Sequence, residues 1–144
     1  MQGFSTQDVR IIFATDLSCS KLLESVRYTS VSGVVYEIPQ YQQTDFASTP
    51  SAIWGAPLFL IPTGWWAIPT LAHDAAFRNT LLVVNQDGTT TLANLTEKES
   101  NDLLFEMMQA IKPNPTFFEI AQRDAIYTGV TIGGWHAFKE DREA

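Results

Sequence analysis

Two histidines occur in this 144-residue chain, and one of them, His73, stands in the run His73-Asp74-Ala75-Ala76-Phe77-Arg78, beside a carboxylate and otherwise among apolar residues. Some way before it lies Thr44-Asp45-Phe46-Ala47-Ser48-Thr49-Pro50, and after it a helical stretch carrying Asp102. Neutral imidazole accepts a proton from water near neutral pH, and a carboxylate on its other nitrogen fixes the tautomer and stabilises the charged form. His73 is therefore open to three roles: general base, metal ligand, or hydrogen-bonded core residue. Asp74 follows it directly and points about 100° away around a helix, so an orienting carboxylate must come from Asp102 or Asp45. The candidate catalytic set is His73, Asp102 and Asp45.

Each member also has a bland reading. His73 shares a helix face with Trp66, Ala76 and Phe77, which turns it inward, while Asp74 and Arg78 share a neighbouring strip at i, i+4 spacing and pair there. Asp45 can brace the turn at Ser48-Thr49-Pro50, where a hydroxyl N-cap followed by proline at the first helical position starts a short helix. Asp102 lies opposite the stripe Leu104, Met107, Met108 and Ile111, near Lys98 and Glu106, which solvates it unless the helix is covered on two sides. Calcium held by Asp74 with backbone carbonyls is the metal site to consider. A transition-metal centre needs more histidines than this chain brings together, since His136 lies near the far end.

The pattern D-x-A-S-x-P (Asp45, Ala47, Ser48, Pro50), then H-D-x-x-[FY]-R (His73, Asp74, Phe77, Arg78), then Asp102, Phe105 and Met108, with Tyr127, Val130, Gly134 and Trp135 as a weaker tail, resembles a family of small phage and prophage proteins of unknown function. The resemblance spans roughly residues 36–135 and implies a phage origin and a shared fold, not an activity. A more distant similarity joins His73, Asp74 and Asp102 to secreted calcium-dependent phospholipases. There the histidine activates water, an aspartate on the antiparallel helix orients it, and the adjacent aspartate binds calcium. The glycine-rich calcium loop and the disulfides of those enzymes are not evident in this chain.

Composition narrows the classes further. A length of 144 residues and 45% hydrophobic content describe one domain with an ordinary core, and the lone Cys19 excludes an internal disulfide. Nine Lys and Arg against sixteen Asp and Glu give a net charge of −7 without a basic run, which argues against nucleic-acid binding. Residues 1–16 lack the pattern of a signal peptide, and the apolar stretch 56–69 is broken by prolines and Gly64 and is too short to span a bilayer. The expected location is a virion or the cytoplasm of an infected host, with other phage structural proteins as partners, contact with a membrane or envelope, and oligomerisation within an assembly.

The elements that must position these groups follow from local pattern. Strands are expected at Val9–Phe13, Val26–Val31 and Val34–Ile38, the last two joined at Ser32-Gly33. A hairpin folds about Asp87-Gly88 between Leu81–Val84 and Thr89–Leu92, as an insertion between two helices. The His73 helix begins near Pro69. The next starts at Thr96, whose hydroxyl makes a capping box with Glu99, and stops at Lys112-Pro113. A third begins near Pro115, with a bend or close packing at Gly129, Gly133 and Gly134. Trp54, Trp65 and Trp66 with Leu58–Ile61 form the densest apolar cluster, a core or a surface for lipid or a partner. The fold class is α+β: a small antiparallel sheet from the N-terminal half, packed on two antiparallel helices with an intervening β-hairpin and a bent C-terminal helix.

Overall fold

The computed structural model describes residues 2–5, 9–13, 20–44 and 65–143; Trp54, Leu58–Ile61, Asp45 and the D-x-A-S-x-P motif lie outside the described residues. The architecture is α+β, as the alternating and helical patterns imply. A five-stranded antiparallel sheet has the order β1-β4-β5-β7-β8, formed by Gly3–Phe4, Val26–Thr29, Val35–Ile38, Leu82–Val84 and Thr90–Leu92. A smaller antiparallel sheet joins β2 (Ile11–Phe13), β3 (Ser20–Leu22) and β6 (Gln43–Thr44) in the order β2-β3-β6. Helices follow at α1 (Ala67–Phe77), α2 (Glu97–Ile111) and α3 (Phe117–Glu143).

Local chemistry accounts for most boundaries. The β4–β5 hairpin turns where expected: the Gly33 N–H donates to the Ser30 carbonyl, and Gly33 takes φ +89°, a conformation that favours glycine. Asp87 organises the β7–β8 turn by accepting hydrogen bonds from the Thr89 N–H and hydroxyl, with Gly88 at φ +87°. Both later helices start with a reciprocal capping box, Thr96 with Glu99 and Thr116 with Glu119. α1 ends in a Schellman arrangement, in which the Thr80 N–H reaches the Ala75 carbonyl and the Asn79 N–H reaches Ala76, with Asn79 at φ +56°.

The β7–β8 hairpin is more than an insertion between helices. β7 pairs with β5 through Val35↔Val84, Tyr36↔Val83 and Glu37↔Leu82, so the hairpin extends the N-terminal sheet to its β8 edge. Pairing of this kind depends on contacts distant in sequence, which local periodicity does not encode. α3 also runs unbroken as helix through Gly129, Gly133 and Gly134. Interior glycines each cost about 1 kcal/mol relative to alanine in a helix, and packing of Ile126 and Val130 on the neighbouring helices offsets part of that.

Two apolar clusters share α2 between them. Leu103 and Met107 belong with Leu22, Val26, Tyr28, Ile38, Leu71 and Leu81 in the core between sheet and helices. Leu104 and Met108 belong instead with Trp66, Ile126 and Val130, between α1, α2 and α3. The helix is thus covered on two sides, and its wide apolar arc is explained by two partners rather than one. Trp66 at the start of α1 shares a cluster with Leu104 and Met108, while His73 further along meets Asn101, so α1 and α2 run antiparallel.

Candidate functional site

His73 lies in the middle of α1 with 3% of its surface exposed, its ring 4.1 Å from that of Phe77 one turn later. The inward direction expected from the helix face is what the fold produces. Its Nε2 is 2.8 Å from Oδ1 of Asn101 on α2. An amide oxygen only accepts, so Nε2 carries the hydrogen and Nδ1 holds the lone pair. Burial pulls the imidazole pKa from 6.5 down to about 4, and the Asn101 oxygen, which favours the protonated ring, recovers only part of that shift. At neutral pH the ring is an uncharged, hydrogen-bonded member of the interior.

Of the two readings of Asp102, the pairing with His73 is not made and the solvated place near Lys98 is taken. Asp102 is one residue past the position that faces the imidazole, and one residue on a helix is a rotation of about 100°. Its Oδ2 lies 2.6 Å from the Lys98 ammonium, and its Oδ1 accepts a hydrogen bond of 3.1 Å from the Tyr127 hydroxyl. Those partners tie α2 to itself and to α3 on the exposed side. Asn101 takes the inward place, 4% exposed, where a carboxylate was expected. A signal for it existed: Asn101 precedes Leu104 by three residues and Met108 by seven, so it falls on the buried arc and requires a polar partner there.

Asp74 is buried on α1, as its neighbours Ala75 and Ala76 are. Among the described residues no group of three or more His, Cys, Asp or Glu side chains converges in a way that could hold a metal ion. Asp45, the other candidate carboxylate, lies outside the described residues.

The tryptophans divide clearly. Trp66 is 2% exposed and belongs to the interior, while Trp65 crosses it edge-on at 5.7 Å and donates from its indole nitrogen to Gln122 of α3 at 3.2 Å. For these two residues the cluster is core.

Two hollows open beside α2 on the side away from His73. One, of about 200 Å³, lies between the β4–β5 turn and α2 and is lined by Ser30, Ser32, Tyr36, Glu99, Asp102 and Glu106 among others. The other, of about 500 Å³, is lined by Val31, Asp102, Phe105, Glu106, Gln109 and Tyr127. Their carboxylates are already engaged. Glu99 closes the Thr96 capping box, Asp102 holds Lys98 and Tyr127, and Glu106 accepts from the Tyr28 hydroxyl at 2.5 Å. Burial and the Glu106 carboxylate push the Tyr28 hydroxyl far above its ordinary pKa of 10, which keeps it a donor. These groups brace sheet to helix and α2 to α3.

No family model matches the chain. Comparisons with curated proteins and with solved structures likewise gave no match. No helix among the described residues is long and apolar enough to cross a membrane.

Proposed function

We propose that the chain is a non-catalytic structural or accessory component of a phage particle, most naturally at the tail or baseplate. The motif resemblance around Asp45, His73 and Asp102 supports the phage assignment. The observation that carries the non-catalytic half is the state of His73: 3% exposed, neutral, and bound at Nε2 by the Asn101 amide. A general base needs an edge that water reaches and a pKa near the working pH, whereas this ring is packed against Phe77 with its pKa drawn down to about 4. The chemistry that binds His73 is the chemistry of a satisfied core residue. Other phage structural proteins are the partners this reading implies.

Quantitative mass spectrometry of purified virions from a host carrying the encoding phage or prophage tests the assignment. Stoichiometric recovery with the particle is expected, and absence from the particle counts against a virion role. Hydrolysis is tested separately by incubating wild type and His73→Gln with anionic and zwitterionic phospholipid vesicles and with peptidoglycan. No release of fatty acid or muropeptide is expected from either. Turnover by wild type that His73→Gln abolishes, with folding retained, would replace this reading by the hydrolase one.

A further inference from the structure

We propose that the two hollows beside α2 form one groove that docks an extended segment of a partner protein presenting an arginine or lysine next to an apolar side chain. Asp102 and Glu106 line both hollows, so the two adjoin. The α2 residues along them run from Glu99 to Gln109, a length of about 15 Å at the helical rise of ~1.5 Å per residue. An extended backbone covers that length with about five residues at ~3.3 Å each, whereas a small amine fills only part of it.

The two hollows differ in chemistry. The larger has apolar walls: Val31 at the β4–β5 turn, 70% exposed, and the rings of Phe105 and Tyr127, which meet edge-on at 5.2 Å. The smaller is lined by three carboxylates, Glu99, Asp102 and Glu106, and by no basic side chain. Like charges three and four residues apart on one helix face repel each other. The bracing contacts use one oxygen of Glu99, which accepts from the Thr96 N–H, and one of Glu106, which accepts from the Tyr28 hydroxyl. Among the described residues nothing donates to the second oxygen of either. The Tyr36 hydroxyl on the same wall makes no hydrogen bond among them, and burial together with the Glu99 and Glu106 carboxylates pushes its pKa up. Lys98, which Asp102 holds, is 84% exposed and lines neither hollow.

Charge complementarity selects the occupant. A guanidinium or ammonium from a partner meets spare acceptors and relieves the repulsion along α2, while its apolar neighbour covers Val31 and the two rings. Phe105 already carries one guanidinium, that of Arg123 at 4.7 Å from its centroid. A second copy of this chain, with a net charge of −7, is repelled from this acidic face, as are nucleic acid and anionic lipid. This inference does not depend on the phage assignment.

NMR titration of the isotope-labelled full chain tests it, with a short amidated peptide of arginine and leucine two positions apart between glycines as the probe. Saturable shifts are expected at the β4–β5 turn, along Glu99–Gln109 and at Tyr127, with a Kd of about 1 mM or tighter that weakens as salt is added. Glutamate in place of the peptide's arginine should abolish binding. Asp102→Asn and Glu106→Gln keep acceptors for the Tyr127 and Tyr28 hydroxyls but remove the charge. Each should weaken binding roughly fivefold, and the pair more than tenfold, with the rest of the spectrum unchanged. Val31→Arg, at an exposed position, should block the groove without loss of folding. The proposal is overturned by a wild type without saturable shifts, by equal binding of the glutamate peptide, or by binding that the double variant leaves undiminished. Agmatine shifting the same residues as tightly as the peptide would also overturn it, in favour of a small cationic ligand.

Discussion

A single hydrogen bond, His73 to Asn101, decides what kind of chemistry the interior can support. With an amide as partner the imidazole remains neutral; an acid there would favour its charged form. Asn101→Asp is therefore expected to raise the His73 pKa from about 4 by roughly 1–3 pH units, read by NMR from one of only two histidine ring signals. The same burial makes folding sensitive to acid. Unfolded, His73 takes up a proton as pH falls through 6.5, while the folded ring resists until about 4, so the unfolded state binds more protons in that window. The contribution is fully present above pH 6.5 and is lost progressively down to about 4, a loss of about 3 kcal/mol for a shift of that size. Urea unfolding of wild type and His73→Gln across that range checks it: the difference in stability between them should shrink or reverse on acidification. At this scale the sequence revealed that His73 faces inward but not what it meets there. A carboxylate stands out in a sequence as a histidine partner, whereas Asn101, adjacent to one, has the ordinary residue type of a buried hydrogen-bonding group.

Among the elements, α2 bears the most, because the sheet and α3 both rest on it. Its start is set by the Thr96–Glu99 box, and Thr96→Ala should cost about 1 kcal/mol in urea unfolding, through the freed Glu99 N–H. Met107 and Met108 point to different clusters, each 0% exposed. Alanine at either is expected to cost about 2–5 kcal/mol, and because the two residues serve separate clusters the costs should nearly add in the double variant. Caps, hairpin turns and helix stops were legible in the sequence because each is written within a few residues: Thr96 with Glu99, Asp87 with Gly88, Ser32 with Gly33. On α2 a single stripe, Leu104, Met107, Met108 and Ile111, was legible, whereas two-sided cover requires knowing where α3 lies. Gly129, Gly133 and Gly134 marked a bend or close packing in the sequence, and α3 stays helical through all three.

For the whole molecule, the α+β class follows from the order of strand-like and helix-like segments, and the observed sheet agrees with it. What local pattern could not supply is the strand order, in which β7 and β8 return after α1 to pair beside β5. Joining segments so far apart in sequence raises the entropic cost of early pairing and predicts folding slower than that of a helical bundle of equal length, measurable by stopped-flow refolding. The Tyr28 hydroxyl, which accepts from the Gln2 amide just before β1 and donates to Glu106 of α2, fastens this sheet to its helix layer. Tyr28→Phe should weaken the fold by about 1–2 kcal/mol while leaving helix content unchanged by circular dichroism.

The neck of the β7–β8 hairpin is closed by Asn79 and Asn94, each in the left-handed conformation, with the Asn79 amide donating to Asn94 Oδ1 at 2.6 Å and the Asn94 N–H returning to Asn79 Oδ1 at 3.2 Å. A loop pinned at its root transmits little of what is done at its tip. The exposed Gln86-Asp87-Gly88 apex thus becomes a natural place to graft an epitope or a fluorophore without disturbing the body that carries it.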